Sequence, residues 1–257
     1  MARRLTRRLV LGSGYIARAF GGGVSRSLVD YTKRDAFERL VRDADVVINC
    51  AGFTGRPHID QCEDMKAETI KANICLPAML SDVCAERGVR FVHISSGCIF
   101  QGSGAFNEGD KPASQLSFYS QTKWLAEQCV QGLILRIRMP FDGSGHDRCL
   151  LSKLAKYPRL ISEENSITYV PDLVAATDSL LQADAPDGVY HVTNRLAINH
   201  KQIASIFGWQ KEFIPLWKLD VKAPRSNCTL SSAKVSAYYP MPSVYARLAE
   251  LAMRNAA

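Results

Sequence analysis

Leu9-Val10-Leu11-Gly12-Ser13-Gly14-Tyr15-Ile16-Ala17 is the stretch on which the fold turns. Its apolar opening reads as the end of a buried strand, the Gly-x-Gly-x-x-Ala run as a tight turn, and Tyr15-Ile16-Ala17 as the start of a helix. In such a unit the first glycine permits the sharp turn and the second lets backbone N–H groups approach a pyrophosphate at the helix N-terminus. A small third residue lets helix and strand pack closely. Gly12, Ser13, Gly14, Tyr15 and Ile16 are therefore candidate dinucleotide contacts. Three small residues would also satisfy a plain strand-to-helix turn, so the surrounding pattern has to decide.

Outward from this unit, short apolar runs at 8–11, 27–31, 45–49, 90–95 and 133–137 alternate with helical periodicity at 15–20, 35–42, 60–87 and 117–131. Strand, helix, strand, repeated, predicts an α/β protein: a Rossmann-type doubly wound parallel sheet that binds its ligand at the carboxyl ends of the strands. Beyond Pro140 the pattern changes, with helices expected at 149–157, 199–207 and 243–254 and a strand at 187–193 returning to the sheet. The reading is a dinucleotide-binding domain over 1–140 and a smaller C-terminal substrate-binding lobe over 141–257.

Composition sets the bounds. The 257 residues are 47% hydrophobic and 22% charged, the balance of an ordinary globular protein able to bury a core without staples. Eight cysteines show no Cys-x-x-Cys and no zinc-like Cys/His spacing, so reduced thiols in the cytoplasm and no metal are expected. The 32 Lys and Arg exceed the 25 Asp and Glu, with Arg3, Arg4, Arg7 and Arg8 crowding the start. No export signal or membrane-length apolar run is visible, and no nucleic-acid reader motif accompanies the charge. Anionic small ligands give the excess a use.

About 20 residues past the glycine turn, an acid would hold a ribose 2′-hydroxyl and a base a 2′-phosphate. Lys33 and Arg34 follow the expected second strand, which favours NADPH, with NADH as the alternative. Cys50, Ala51 and Gly52 end the third strand as small residues suited to close approach beside an adenine ribose.

Tyr119 and Lys123 lie four apart in a helical stretch and share a face. A lysine ammonium near a phenol favours the phenolate, which would make Tyr119 a general acid at neutral pH. A hydroxyl at the end of the fourth strand could bind the same carbonyl oxygen, and Ser96 is the better placed of Ser95 and Ser96.

These parts together resemble the extended short-chain dehydrogenase/reductase superfamily, which uses a Ser/Thr, Tyr and Lys set with NAD(P). The stretches 51–57 (AGFTGRP), 97–100 (GCIF), 118–123 (FYSQTK), 136–140 (RIRMP) and 223–227 (APRSN) narrow the resemblance. They are similar to the nucleotide-rhamnose synthase/epimerase-reductase family, related to dTDP-4-dehydrorhamnose reductase. The resemblance implies 3,5-epimerisation and 4-reduction of a UDP- or dTDP-linked 4-keto-6-deoxyhexose. It also implies that Cys98 and Lys153 form the epimerisation acid/base pair, and that Thr54, Arg56, Ser96, Cys98, Arg138, Thr168 and Arg225 line the nucleotide-sugar site. An upstream 4,6-dehydratase on a separate protein is expected, and a homodimer is left open. The glycine loop is one residue shorter than the family's Gly-x-x-Gly-x-x-Gly, and Ser96 stands where threonine is usual. Two other readings remain: a 4-ketoreductase without epimerase activity, and a non-catalytic NAD(P)-sensing binding protein.

Overall fold

The computed structural model describes residues 7–256. In chain order the main elements are β1 (Arg8–Leu11), α1 (Tyr15–Ala19), α2 (Arg34–Leu40), β2 (Val46–Asn49), α3 (Gln61–Asp64), α4 (Lys66–Ile70), α5 (Leu76–Glu86), β3 (Arg90–Ser96), β4 (Ala105–Phe106), α6 (Phe118–Glu127) and β5 (Leu133–Ile137). They continue with α7 (Leu150–Lys156), β6 (Arg159–Ile161), α8 (Val170–Gln182), β7 (Gly188–His191), α9 (His200–Ile206), β8 (Glu212–Ile214), β9 (Thr229–Leu230), α10 (Ala233–Ser236) and α11 (Val244–Ala256).

The five long strands form one all-parallel sheet in the order β1-β2-β3-β5-β7. Period-two alternation sorts their side chains: Val10, Val46, Ile48, Val92, Leu133 and Leu135 face a layer containing α8, while Leu11, Val47, Phe91 and Ile134 face α2 and α5. A further apolar cluster joins α7, α9 and α11 with Phe141 and Tyr169, and forms the core of the C-terminal half. Helix α8 and β7 belong to the sheet side although both lie beyond Pro140. Two short parallel pairs, β4 with β9 and β6 with β8, complete the strands.

Two expected elements differ. Residues 27–31 form turns, not a strand, and the edge beside β1 is reduced to one parallel bridge between Leu11 and Val24. Gly12 N–H donates to the Val24 carbonyl and Val24 N–H to that of Val10, each at 2.9 Å. A Cβ on Gly23 would lie 2.3 Å from the Gly12 oxygen, so only glycine lets the chain turn back this early. The helix expected over 60–87 is also interrupted, by Met65 and by a wide π-type turn at Lys71–Cys75. That turn aims Asn73 at the Phe53 backbone, where its amide accepts from N–H at 2.7 Å and donates to the carbonyl at 2.9 Å.

Arg3 and Arg4 lie outside the described residues. Arg7 faces Asp43 and Asp45, and Arg8 bonds Asp178, so part of the early positive charge is met within the fold.

Candidate active site

The chain leaves β1 toward Val24 on one side and re-enters the sheet at β2 on the other, which opens a crevice at the carboxyl end of β1. The glycine turn fills that position. Gly12 has φ +103°, and a Cβ there would press on the Cys50–Ala51 backbone at 3.1 Å. Ser13 and Gly14 are exposed, no side chain caps α1, and Ala17 is fully buried against the sheet. Free backbone donors beside an open turn fit a dinucleotide pyrophosphate. Tyr15 contributes only backbone here, because its ring is buried in the C-terminal cluster and stacks on His146 at 4.9 Å.

The expected 2′-phosphate residues, Lys33 and Arg34, have acidic partners within the fold. Arg34 bonds Glu38 at 3.0 Å and also Glu86, drawn to α2 and α5 by their carboxylates, and Lys33 is an exposed neighbour of Asp30. With the edge strand shortened to Val24, the residues that follow it are Ser25 and Arg26. The exposed Arg26 acts electrostatically on Asp30 and on the buried Tyr31. Its sequence signal was the Gly21-Gly22-Gly23 run, which ends the first crossover early.

Helix α6 begins at Ser117, whose hydroxyl accepts from Ser120 N–H at 3.2 Å. From there a polar stripe four residues apart, Tyr119, Lys123 and Glu127, lies over the β3 face that carries His93 and Ser95. Glu127 accepts from Ser95 at 2.5 Å and from Arg136 at 2.6 Å. Lys123 is buried, with Nζ 2.8 Å from the Ile94 carbonyl and 3.1 Å from His93 Nε2. Burial pulls its pKa down to about 8, against the opposing pull of Glu127 and Cys50. Asn49, the cross-strand neighbour of His93, closes the row with its amide 3.1 Å from Nδ1.

At the last residue of β3, the Ser96 hydroxyl interacts with the Tyr119 phenol. Burial, assisted by Cys98 and Cys62, pushes the phenol above its usual range, and only the Ser96 contact opposes this. The expected lowering by Lys123 is not the governing effect, and the Lys123 nitrogen is instead engaged by His93 and the Ile94 carbonyl. Tyr119 is therefore a protonated donor at neutral pH. Cys98 follows two residues later, with its N–H 3.2 Å from Ser96 Oγ. A guanidinium N–H of Arg138 lies 3.6 Å from the Cys98 sulfur. Gly97 packs on Arg138 so closely that a Cβ would lie 2.9 Å from Cγ.

Arg138 is not an open ligand contact. It is 2% exposed and bonds Ser226 Oγ at 2.9 Å, the Ser226 carbonyl at 3.1 Å and the Asn165 side chain. Thr168 is likewise interior: its hydroxyl donates to the Val192 carbonyl at 2.7 Å and accepts from Arg138 N–H at 3.1 Å, which uses its polar capacity. Arg225 forks onto Asp60 at 2.6 and 3.0 Å and ties the 223–225 loop to α3. Lys153 sits among like charges, its pKa lowered by burial and then by Arg148 and Arg225. Arg148 in turn donates to the Gly55 carbonyl at 2.8 Å. Thr54 and Arg56 are exposed on the loop after β2. His200 opens α9 behind the Asn199–Gln202 capping box, buried among apolar residues and remote from Tyr119 in role.

An open glycine turn after β1, with a serine, a tyrosine and a lysine gathered around β3 two strands away in the same parallel sheet, defines an extended short-chain dehydrogenase/reductase. The family model described as the RmlD substrate binding domain matches residues 19–227, and the chain belongs to that family. A bifunctional dTDP-4-dehydrorhamnose 3,5-epimerase/dTDP-4-dehydrorhamnose reductase of Arabidopsis thaliana is 32% identical over 215 residues, covering 76% of this chain and 71% of the relative. The matched stretch spans 32% of a larger trifunctional relative, also from Arabidopsis thaliana, a UDP-glucose 4,6-dehydratase/UDP-4-keto-6-deoxy-D-glucose 3,5-epimerase/UDP-4-keto-L-rhamnose-reductase. Among solved structures, the L780 UDP-rhamnose synthase of Acanthamoeba polyphaga mimivirus superposes with a TM-score of 0.85 at 24% identity, covering 96% of this chain and 98% of that one. A dTDP-4-dehydrorhamnose reductase of Bacillus anthracis, in complex with NADP, gives 0.81 at 18% identity, covering 97% and 98%.

Proposed function

We propose that the protein converts a UDP- or dTDP-linked 4-keto-6-deoxyhexose to a rhamnose-type nucleotide sugar by 3,5-epimerisation followed by 4-reduction with NADPH. The observation that carries this reading is the convergence of Ser96, Tyr119 and Cys98 at the carboxyl end of β3, in the same parallel sheet whose β1 ends in the open glycine turn. When bound, the dinucleotide supplies the hydride. The Ser96 and Tyr119 hydroxyls hold the C4 carbonyl oxygen, and Tyr119, kept protonated by burial, gives its proton to the oxygen as the alcohol forms.

The same two donors can hold the enolate oxygen formed when a proton leaves C3 or C5. Inversion needs one group to remove that proton and another to return it from the opposite face. Cys98, with an Arg138 N–H on its sulfur, is one. Lys153, whose burial and cationic neighbours favour the neutral amine, is the other. The names of the Arabidopsis relatives support both activities, and the NADP of the Bacillus anthracis reductase supports the cofactor. Arg26 is the residue we assign to the 2′-phosphate. Arg26→Ala should weaken use of NADPH relative to NADH by about tenfold or more, the loss of one charge-assisted contact, measured as the ratio of kcat/KM values.

The test supplies UDP- and dTDP-4-keto-6-deoxyglucose with NADPH in deuterated water, follows the nicotinamide absorbance and reads the sugar stereochemistry by NMR. Cys98→Ser should stop deuterium entry at C3 or C5 while an already epimerised ketosugar is still reduced. Reduction with no deuterium entry in the unaltered protein would leave a 4-ketoreductase alone. Tyr119→Phe should cost about 10² to 10⁴ in kcat, and unchanged NADPH oxidation in that variant would point instead to a sensing protein.

A further inference from the structure

Facing the Lys123 amine in its buried site are the His93 ring and the Ile94 carbonyl from β3, the Cys50 thiol beyond β2, and Tyr119 and Glu127 one turn either way on α6. The polarity of these contacts can be read outward from one obligatory donor. Ala51 N–H can only donate, so Asn49 Oδ1, 3.0 Å away, is its acceptor. The other half of that amide, an NH2, then faces His93 Nδ1 at 3.1 Å, and an NH2 has no lone pair to offer. Nδ1 is therefore the bare nitrogen of the ring. Burial and the nearby Lys123 hold the His93 pKa well below the usual histidine range, so the ring is neutral and its single proton sits on Nε2.

That N–H points at Lys123 Nζ, 3.1 Å away. An ammonium would meet it with another donor. An amine instead accepts from Nε2–H, donates to the Ile94 carbonyl at 2.8 Å and keeps one N–H for the cleft. Only the neutral form of Lys123 completes the set without breaking the Ala51 bond.

We propose that His93, locked by Asn49 in its Nε2–H tautomer, is a positioning residue that lowers the proton affinity of Lys123, so that its amine and ammonium forms interconvert close to neutral pH. The inference rests on the reading of Tyr119 and Lys123 as the reacting pair. Of the groups pulling the other way, Glu127 is already committed to Arg136 and Ser95, and Cys50 is a thiol pushed up to about 12 by burial. The direction agrees with a Lys123 pKa lowered from the ordinary 10.5 to about 8.

The experiment uses the ligand-free protein, so its result is independent of the substrate. Nitrogen-15 NMR of the histidines at pH 9, above the Lys123 midpoint, should find the His93 ring neutral, with its proton on Nε2. Titration of carbon-13-labelled lysine side chains, with Lys123→Met for assignment, should find one lysine with a midpoint near 8. His93→Leu should raise that midpoint by about one pH unit or more, and His93→Gln, which keeps an N–H near the Nε2 position, should restore much of the lowering. Should His93→Leu not fold, the wild-type tautomer and the Gln variant still decide. A proton on Nδ1, or a Lys123 that titrates with the surface lysines, overturns the proposal. If the NMR results hold while no ketosugar is reduced, the catalytic reading fails and the histidine assignment stands.

Discussion

Two buried histidines each face a buried base, and they do so with opposite polarity. His191 lies 3.1 Å from an Arg136 guanidinium nitrogen, which can only donate, so Nε2 there offers a lone pair. Its Nδ1 has no hydrogen-bond partner among the described residues, and the ring is free to take the tautomer that suits the arginine. His93 has no such freedom, because Asn49 fixes its proton toward Lys123. The surroundings differ in the same sense. Arg136 is matched by Glu127 through bonds of 3.0, 3.0 and 2.6 Å and by the Glu108 carbonyl, whereas no carboxylate among the described residues bonds Lys123. A structural charge is neutralised on site; a working one is left unmatched so that it can change.

The contrast can be broken most forcefully at Arg136. Arg136→Met leaves Glu127 buried without its cation and should destabilise the fold by about 3–5 kcal/mol, read from urea unfolding at neutral pH. A loss near zero would mean that Glu127 finds water, and the matched half of the comparison would go.

Lys123→Met should act with the opposite sign. The folded pKa of about 8 lies below the ordinary 10.5, so between those values the unfolded chain binds more protons and stability of the unaltered protein rises with pH. Below pH 8 the amine must charge in a dry site, a cost of about 3 kcal/mol relative to alkaline pH at 1.4 kcal/mol per pH unit. The methionine variant should lack this rise and be the more stable protein at pH 6, while its ketosugar reduction is lost. Parallel unfolding curves at pH 6 and 9.5 measure the difference.

His200 gives a smaller and more local test, because neither ring nitrogen has a hydrogen-bond partner among the described residues. Burial lowers its pKa to about 4, so the unfolded chain takes up the extra proton first as pH falls from 6.5. Stability should therefore drop between pH 6.5 and 4, by up to about 3 kcal/mol from this residue. His191, with a pKa near 3, adds to the same acid limb. His200→Met should flatten its share, as measured by urea midpoints at pH 7 and 4.5.

What could be read beforehand follows the range of the interactions involved. The Gly12–Ala17 turn, the Tyr119 and Lys123 face and the alternating strands depend on neighbours within one turn or one pleat, and the parallel sheet grew from them. The fates of the arginines depend on partners far along the chain: Arg34 meets Glu86, Arg138 meets Ser226 and Arg225 meets Asp60. No local pattern announces such pairings, so guanidinium groups that suited a phosphate on paper are held by acids and carbonyls. Thr168 was hidden for the same reason, since its hydroxyl is consumed between Arg138 and Val192. His93 stood inside the decisive β3 segment, yet its meaning appears only when β2 sets Asn49 beside it.

The abbreviated edge at Val24 separates two properties that many nucleotide-binding sheets entangle. Because the rim beside β1 is pinned by just two main-chain bonds and by the inward-facing Tyr31 ring, the intervening segment from Ser25 to Asp30 carries little of the architecture. It can be exchanged like a label on a finished object, so substitutions there, Arg26 among them, should shift coenzyme preference while leaving the urea unfolding midpoint nearly unchanged.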